Sequence, residues 1–317
     1  MALAQPVRVG VIGVGVLGRH HTRLYANSAD AELVGVYDVS PESAAKVAAE
    51  YGCAAFNEID ALVGQVDAVS VAVPTDLHFD VVSRLLEQDK HVLVEKPLTA
   101  TVEQGRALVA LARKRDVVLQ VGHVERFNPV ITYLEEKIDH PRFIESHRLA
   151  GYPPPRPGML PRGTEVGVVF DLMIHDIDII LSLVKSPVVR IDSVGLCVLS
   201  ATEDIANARI AFANGCVANL TASRVSPEPM RKIRVFQQNA YLSLDYGEKC
   251  GEIATIDGAN VHREAVPIDQ HDALERELAD FLAASAGESA APRVPGEQGL
   301  KALEIADTIA RQIAESQ

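Results

Sequence analysis

Near the start of the chain stands Gly13-Val14-Gly15-Val16-Leu17-Gly18, and no other stretch restricts the fold as much. A run of β-formers, residues 7–13, leads into it, and a helical pattern leaves it. At such a junction the first glycine permits a tight turn and the second lets the backbone approach a pyrophosphate. The third lets helix and strand pack closely, while free N–H groups at the helix N-terminus face the anion. Glycines alone are a weak signal, since a strand-to-helix turn that binds nothing can use them too. Asp38 strengthens the pattern. It ends the next predicted strand, twenty positions after Gly18, where its carboxylate can accept from ribose hydroxyls. A dinucleotide site is therefore expected on Gly13, Gly15, Val16, Leu17, Gly18 and Asp38. Val39-Ser40-Pro41 follows Asp38 in place of an arginine able to pair with a 2′-phosphate. NAD is thus expected, with NADP the lesser alternative.

The same alternation continues to residue 122. Strands are predicted over 7–13, 31–38, 66–73, 91–95 and 117–122, with a weaker one over 53–56. Amphipathic stretches such as Thr75–Gln88 and Val102–Arg115 are long enough to be crossover helices. Strands that read as continuous apolar runs suit a parallel sheet covered on both faces, so residues 1–122 are expected to form a doubly wound α/β domain. Beyond 122 the pattern changes. A helix (NPVITYLEEKI) and a strand up to Ala150 lead to a Pro/Gly/Arg-rich loop, 151–163, and an apolar helix, Val166–Val184. Strand-like segments fill about 187–265, where Asn214-Gly215 joins two alternating runs as a tight hairpin turn would. Helical stretches near 271–285 and 297–315 close the chain. Residues 123–317 are expected to form a second α/β domain with a largely antiparallel open sheet, its last helix free to pack back on the first domain.

A chain of 317 residues, 48% of them apolar, can bury two cores. Its net charge of −13 argues against the broad basic face that nucleic-acid binding needs, and against an anionic membrane surface. The N-terminal apolar run has no basic residues ahead of it and reads as a first strand, not as a signal peptide. The four cysteines are scattered, with no C-x-x-C pair, which suits free thiols in a reducing compartment. A cytoplasmic protein is expected.

Two further features carry chemistry. Glu95-Lys96-Pro97 falls at the C-terminal end of a predicted strand, the edge where open α/β sheets bind ligands. A lysine there can donate to a hydroxyl and stabilise a developing alkoxide; in isolation it reads more readily as an exposed loop residue. The second is DLMIHDID, residues 171–178, where Asp171, His175, Asp178 and Ser182 form one polar stripe on an apolar helix. Buried carboxylates are costly unless paired. The stripe is therefore either a satisfied structural network or the wall of an active site, in which an Asp–His pair serves as an acid–base unit. A metal site is a rival reading, but its remaining ligands are not identifiable in the sequence, and no metal is expected.

VGVIGVGVLGRHH, AVPTDLH (72–78), VEKPLT (94–99), GHVERFNP (122–129) and DLMIHDID, in this order, make the chain resemble the Gfo/Idh/MocA family of sugar and polyol dehydrogenases over nearly its whole length. The resemblance implies a Rossmann domain and an α/β domain whose open sheet often forms an oligomer interface, giving a homodimer or homotetramer. It implies that Lys96, Asp171 and His175 are catalytic. It also implies that Pro74, Thr75, His78, Glu95, Lys96 and Arg126 lie near the nicotinamide half of the cofactor. His175, backed by Asp171, would remove a hydroxyl proton as hydride passes to NAD, and Lys96 would bond the same oxygen. Which of Lys96 and His175 is the main base is left open.

Two basic segments stand out in this acidic chain. Arg142, Arg148, Arg156 and Arg162 face one acid, Glu145; Arg224, Arg231, Lys232 and Arg234 face Glu228. Arginine suits bidentate phosphate recognition, so an anionic substrate such as a nucleotide sugar is expected, held by Lys96, Arg156, Arg162, Asp171 and His175. Two solvated surface segments would read the same way. GHVERFNP and DLMIHDID also resemble bacterial members of the family that oxidise UDP-N-acetylglucosamine to its 3-keto form, for a partner aminotransferase in lipid A biosynthesis. Alternatives are a dehydrogenase of a free sugar or inositol, an NAD-dependent glycoside hydrolase, or a non-catalytic NAD-binding sensor.

Overall fold

The structure, a computed structural model, describes residues 3–154, 161, 163–258 and 260–316. From the N-terminus run β1 (Val7–Ile12), α1 (Val16–Asn27), β2 (Ala31–Tyr37), α2 (Pro41–Tyr51), β3 (Ala54–Phe56), α3 (Ile59–Val63), β4 (Ala68–Val71), α4 (His78–Glu87), β5 (His91–Glu95), α5 (Val102–Arg115) and β6 (Leu119–Gly122). The six strands are parallel, in the order β3-β2-β1-β4-β5-β6. This is a doubly wound sheet whose order reverses between β1 and β4. Its strands carry apolar residues on both faces because helices cover both: Val9, Val11, Val36, Val69 and Leu93 are all fully buried. Residues 75–88 divide into a 3-10 turn, Thr75–Leu77, and α4.

The second half contains α6 (Pro129–Lys137), β7 (Phe143–Leu149), a π-helical turn over Val169–Met173 that runs into α7 (Ile174–Val184), and the strands β8 (Val188–Leu196), β9 (Ile205–Phe212), β10 (Val217–Ser223), β11 (Met230–Gln237), β12 (Ala240–Asp245), β13 (Cys250–Asp257) and β14 (Asn260–Ala265). α8 (Ala273–Ser285) and α9 (Gly296–Glu315) end the chain. The second sheet has the order β14-β13-β12-β11-β7-β10-β9-β8 and is antiparallel except at β7–β10. Ile144, Ile210, Leu220 and Val235 on its inner face pack with Ile131 of α6, Ile180 of α7 and Ile309 of α9 in one core.

Two expectations change in detail. Asn214-Gly215 does turn the β9–β10 hairpin, but within a three-residue loop. Gly215 N donates to Phe212 O, Phe212 N donates to Cys216 O, and Gly215 takes φ +82°. A type I turn closed by a left-handed glycine gives this geometry, where a two-residue type I′ turn needs two left-handed residues. The stripe on the apolar helix is also broken, because the π turn contains Asp171 and adds a residue to the helical repeat ahead of His175.

The chain divides into two compact units, Met1–Val124 with Asp272–Lys301, and Glu125–His271 with Ala302–Gln317. A single cut after residue 122 would put α8 with the second unit. Instead its Leu278, Phe281 and Leu282 complete the core formed by Val9, Val36 and Leu93 of the first. No helix among the described residues is long and apolar enough to cross a membrane.

Candidate functional site

In the first unit the candidate site is the loop between β1 and α1. Gly13 has φ +86°, and a Cβ built on it would stand 2.7 Å from Ala72 O. At Gly18 a Cβ would stand 1.8 Å from Gly13 O, so only glycine lets α1 begin this close to β1. Gly15 differs: nothing lies within 4 Å of its built Cβ. It is the N-cap of α1 and supplies no side-chain cap. The first-turn N–H groups of Val16, Leu17 and Gly18 thus have no intrahelical acceptor and no capping side chain, beside a backbone stripped of side-chain bulk. This arrangement fits a dinucleotide pyrophosphate.

Asp38 sits half-buried at the end of β2 and accepts from Val14 N at 2.8 Å and Ser40 N at 2.9 Å. It therefore shapes the glycine loop as well as standing at the expected ribose position. Each carboxylate oxygen keeps a lone pair for a further donor.

At the ends of β4 and β5, Pro74 is exposed and Thr75 half-buried. His78 lies inside, with Nδ1 2.9 Å from Pro97 O and Nε2 3.0 Å from Val73 O. Burial pushes its pKa below the ordinary 6.5. It ties the two loops together, so its ring is occupied by backbone. Glu95 ends β5, with Oε1 3.1 Å from Nε2 of the buried His21 on α1. Its other oxygen lies against Gly122, where a built Cβ would come within 3.1 Å of it. Burial raises the Glu95 pKa, but His21, Lys96 and His78 outweigh it and hold the group below the usual carboxylate value. Lys96 is half-buried and precedes the cis peptide to Pro97.

In the second unit Asp171 lies in the π turn and His175 in the first turn of α7, both half-buried. Gly163, at φ +82°, faces Asp171 so closely that a built Cβ would stand 2.4 Å from its Oδ2. The other half of the predicted stripe is structural. Asp178 Oδ1 is 3.5 Å from Arg126 Nη1, while Arg126 Nε and the Ser182 hydroxyl both donate to Glu135 Oε1. Arg126 is buried in this network.

A more extensive network starts from Asp176, which sequence reasoning passed over. Its Oδ1 accepts from Ser146 Oγ at 2.8 Å and Tyr246 Oη at 2.6 Å, and its Oδ2 accepts from Arg148 Nε at 2.8 Å. Arg148 also donates to Glu125 and lies over the Tyr246 ring, 5.1 Å from its centroid. Burial works against the Arg148 charge, yet Asp176, Tyr246 and Glu125 hold its pKa above the ordinary arginine value. One signal could have found this network. In β7, Ser146 and Arg148 follow Ile144 at two-residue spacing, placing two polar side chains on its inward face.

The basic segments are redistributed. Arg148 and Arg224 are internal, with 3% and 2% exposure, and are engaged by protein groups. Arg234 pairs with Glu145, while Arg142 is exposed. Arg156 and Arg162 lie outside the described residues. No group of three or more His, Cys, Asp or Glu converges on a common metal position among the described residues.

Residues 7–123 match the family model described as oxidoreductase family, NAD-binding Rossmann fold, and residues 134–243 match the GFO/IDH/MocA C-terminal domain. The UDP-N-acetylglucosamine 3-dehydrogenase of Acidithiobacillus ferrooxidans is 42% identical, over 88% of this chain and 89% of its own. A solved structure of that enzyme superposes with a TM-score of 0.90, covering 98% of both chains. The inositol 2-dehydrogenase of Rhizobium meliloti is 28% identical, over 98% of this chain and 97% of its own.

Proposed function

The chain belongs to the Gfo/Idh/MocA family of oxidoreductases, and from that premise we propose that it oxidises the 3-hydroxyl of UDP-N-acetylglucosamine to a ketone, with NAD as hydride acceptor. The observation that carries the substrate is 42% identity to an enzyme of that name, running through 88% of the chain. Inositol, the substrate named for a relative at 28% identity, is the second reading. NAD is preferred over NADP because Asp38 puts a carboxylate where a 2′-phosphate would need a cation.

Each residue then has a role. Gly13, Gly15 and Gly18 bring the backbone to the pyrophosphate, with the N–H groups of Val16 and Leu17 donating to it, and Asp38 accepts from the ribose. Pro74, Thr75, Glu95 and Lys96 line the nicotinamide side, and His78 holds their two loops from within. Bound NAD supplies the hydride acceptor. His175, oriented by Asp171, takes the proton of the reacting hydroxyl, and Lys96 donates to its oxygen and stabilises the charge that develops there. Arg156 and Arg162 are assigned to the diphosphate. A homodimer or homotetramer is the assembly this reading carries, with an aminotransferase consuming the ketone.

NADH formation from NAD and UDP-N-acetylglucosamine tests the proposal, with a ketone-consuming aminotransferase present and myo-inositol and glucose run in parallel. NADH from the nucleotide sugar alone is the expected result. NADH from inositol alone would replace the substrate and keep the chemistry. No NADH from any of them would refute the dehydrogenase reading. With substrate established, His175→Ala should lower kcat by about 100-fold or more while NAD affinity holds. Near-normal turnover in that variant would remove His175 from the mechanism.

A further inference from the structure

The arginine after β10 is one of the most heavily engaged side chains in the second unit. Arg224 Nε donates to Asp204 Oδ1 at 2.7 Å. Its Nη1 donates to two backbone carbonyls, Gly163 O at 2.7 Å and Val166 O at 2.8 Å, and its Nη2 donates to Thr202 Oγ1 at 2.8 Å. Asp204 is fully buried and is fixed in turn. Its Oδ2 accepts from the N–H groups of Val198, Leu199 and Ser200 at 2.8, 2.6 and 2.8 Å. Burial opposes the Asp204 charge, but Arg224 and the Leu199 and Ser200 amides outweigh it and hold the carboxyl well below its usual range.

The segment that Arg224 grips leads directly into the π turn. Gly163 is the residue whose backbone abuts the Asp171 carboxylate. On the other side of Val166 the same β8–β9 loop takes hold again: Val168 N donates to Glu203 O at 3.0 Å, and Glu203 Oε1 would meet any Cβ at Gly167. The approach to Asp171 is thus held at Gly163, Val166 and Val168, and two of these holds are made by one guanidinium.

We infer that Arg224, anchored by Asp204, is a positioning residue for Asp171: it fixes the backbone of Gly163–Val166 against which the Asp171 carboxylate is set. The inference rests on the proposed roles of Asp171 and His175. It also removes Arg224 from the phosphate-binding candidates. Lysine cannot replace it, because one ammonium does not span Asp204, Thr202 and two carbonyls as a planar fork does.

The test uses the full chain with Arg224→Lys, Gly163→Ala and Asp171→Asn, singly and combined. Gly163→Ala touches no ion pair, so it stands if Arg224→Lys fails to fold. The His175 imidazole resonance, identified by its loss in His175→Gln, is followed by NMR in each variant, and kcat is followed alongside. Arg224→Lys and Gly163→Ala should move that resonance in the same direction as Asp171→Asn. Each should lower kcat about 10- to 100-fold with NAD affinity unchanged, and neither should lower it further in the Asp171→Asn background. If Asp171→Asn moves the resonance and the other two do not, the positioning role is overturned and the Asp171–His175 pair survives. If Asp171→Asn itself leaves both resonance and kcat unchanged, the pair fails, and the positioning role falls with it.

Discussion

Gly15 and Gly18 sit three residues apart and do different work. A methyl group at Gly18 would meet Gly13 O at 1.8 Å, and that oxygen belongs to a turn that cannot yield without moving β1. A methyl group at Gly15 would meet nothing within 4 Å, and the residue's φ of −63° is open to any amino acid. Alanine at the two positions should therefore separate fold from ligand. Gly18→Ala should lose about 1–3 kcal/mol of stability, as overpacked sites do, and bind NAD weakly as a consequence. Gly15→Ala should keep its urea midpoint and still bind NAD poorly, because its methyl group occupies the space a pyrophosphate needs. Denaturant titration with isothermal calorimetry on both variants decides it. Full NAD affinity in Gly15→Ala would mean that the loop does not take the pyrophosphate.

At the scale of elements, α7 is pinned to the second sheet by a buried charge network, and helix propensity has little to do with it. Arg148 of β7 and Asp176 of α7 have side chains 4% and 3% exposed. Removing one partner strands the other in a site that excludes water. Arg148→Met should accordingly cost about 3–5 kcal/mol, read as a lower urea midpoint with m unchanged. Arg148→Met with Asp176→Leu should recover part of that loss. A single variant as stable as the parent would show that water or a neighbour replaces the guanidinium. This network also marks where the sequence stops being legible. The glycine turn, the parallel strands and α5, Val102–Arg115, follow from local signals: a left-handed turn, continuous apolar runs, and a Thr101 cap on Gln104 N. Alternation along β7 likewise puts Ser146 and Arg148 on the inward face. Nothing local says which acid they meet. Helical spacing singles out Asp171 and Asp178 and passes over Asp176, and only the packing of α7, with its π turn, brings Asp176 to Arg148 and leaves Asp178 to Arg126. The same limit applies to α8, whose amphipathic pattern promises a buried face without saying which sheet it covers, and to Arg224, whose charge reads as phosphate-binding or surface until its four partners are visible.

Over the whole molecule, two opposing terms decide how stability responds to mild acid. The chain carries a net charge of −13, with an isoelectric point near 5.2. Lowering the pH from 7.5 to 5.5 therefore relieves self-repulsion and favours the compact state. Two histidines inside or partly inside the fold act the other way. Desolvation depresses the pKa of His78 and of His91 below 6.5 in the folded chain. Between that folded value and 6.5 the unfolded chain binds more protons, so stability rises with pH across the window. Their contribution is complete above about 6.5 and is lost as pH falls through the folded value. Glu95, Asp60 and Asp67, also depressed, contribute in the same sense but only below the ordinary carboxylate range near 4. Salt separates the two terms, because about 1 M salt shortens the screening length to about 3 Å and quenches diffuse repulsion while leaving buried groups nearly untouched. In high salt the urea midpoint should fall between pH 7.5 and 5.5, and His78→Gln should flatten the fall while lowering the midpoint at pH 7.5. His78 is the stronger contributor to test, since it is 1% exposed and both ring nitrogens face carbonyls: a neutral ring can donate to only one, and a charged ring would satisfy both at the cost of burying its charge. A slope unchanged in His78→Gln would assign the acid sensitivity to His91 and would mean that the His78 ring binds protons alike in the folded and unfolded chains.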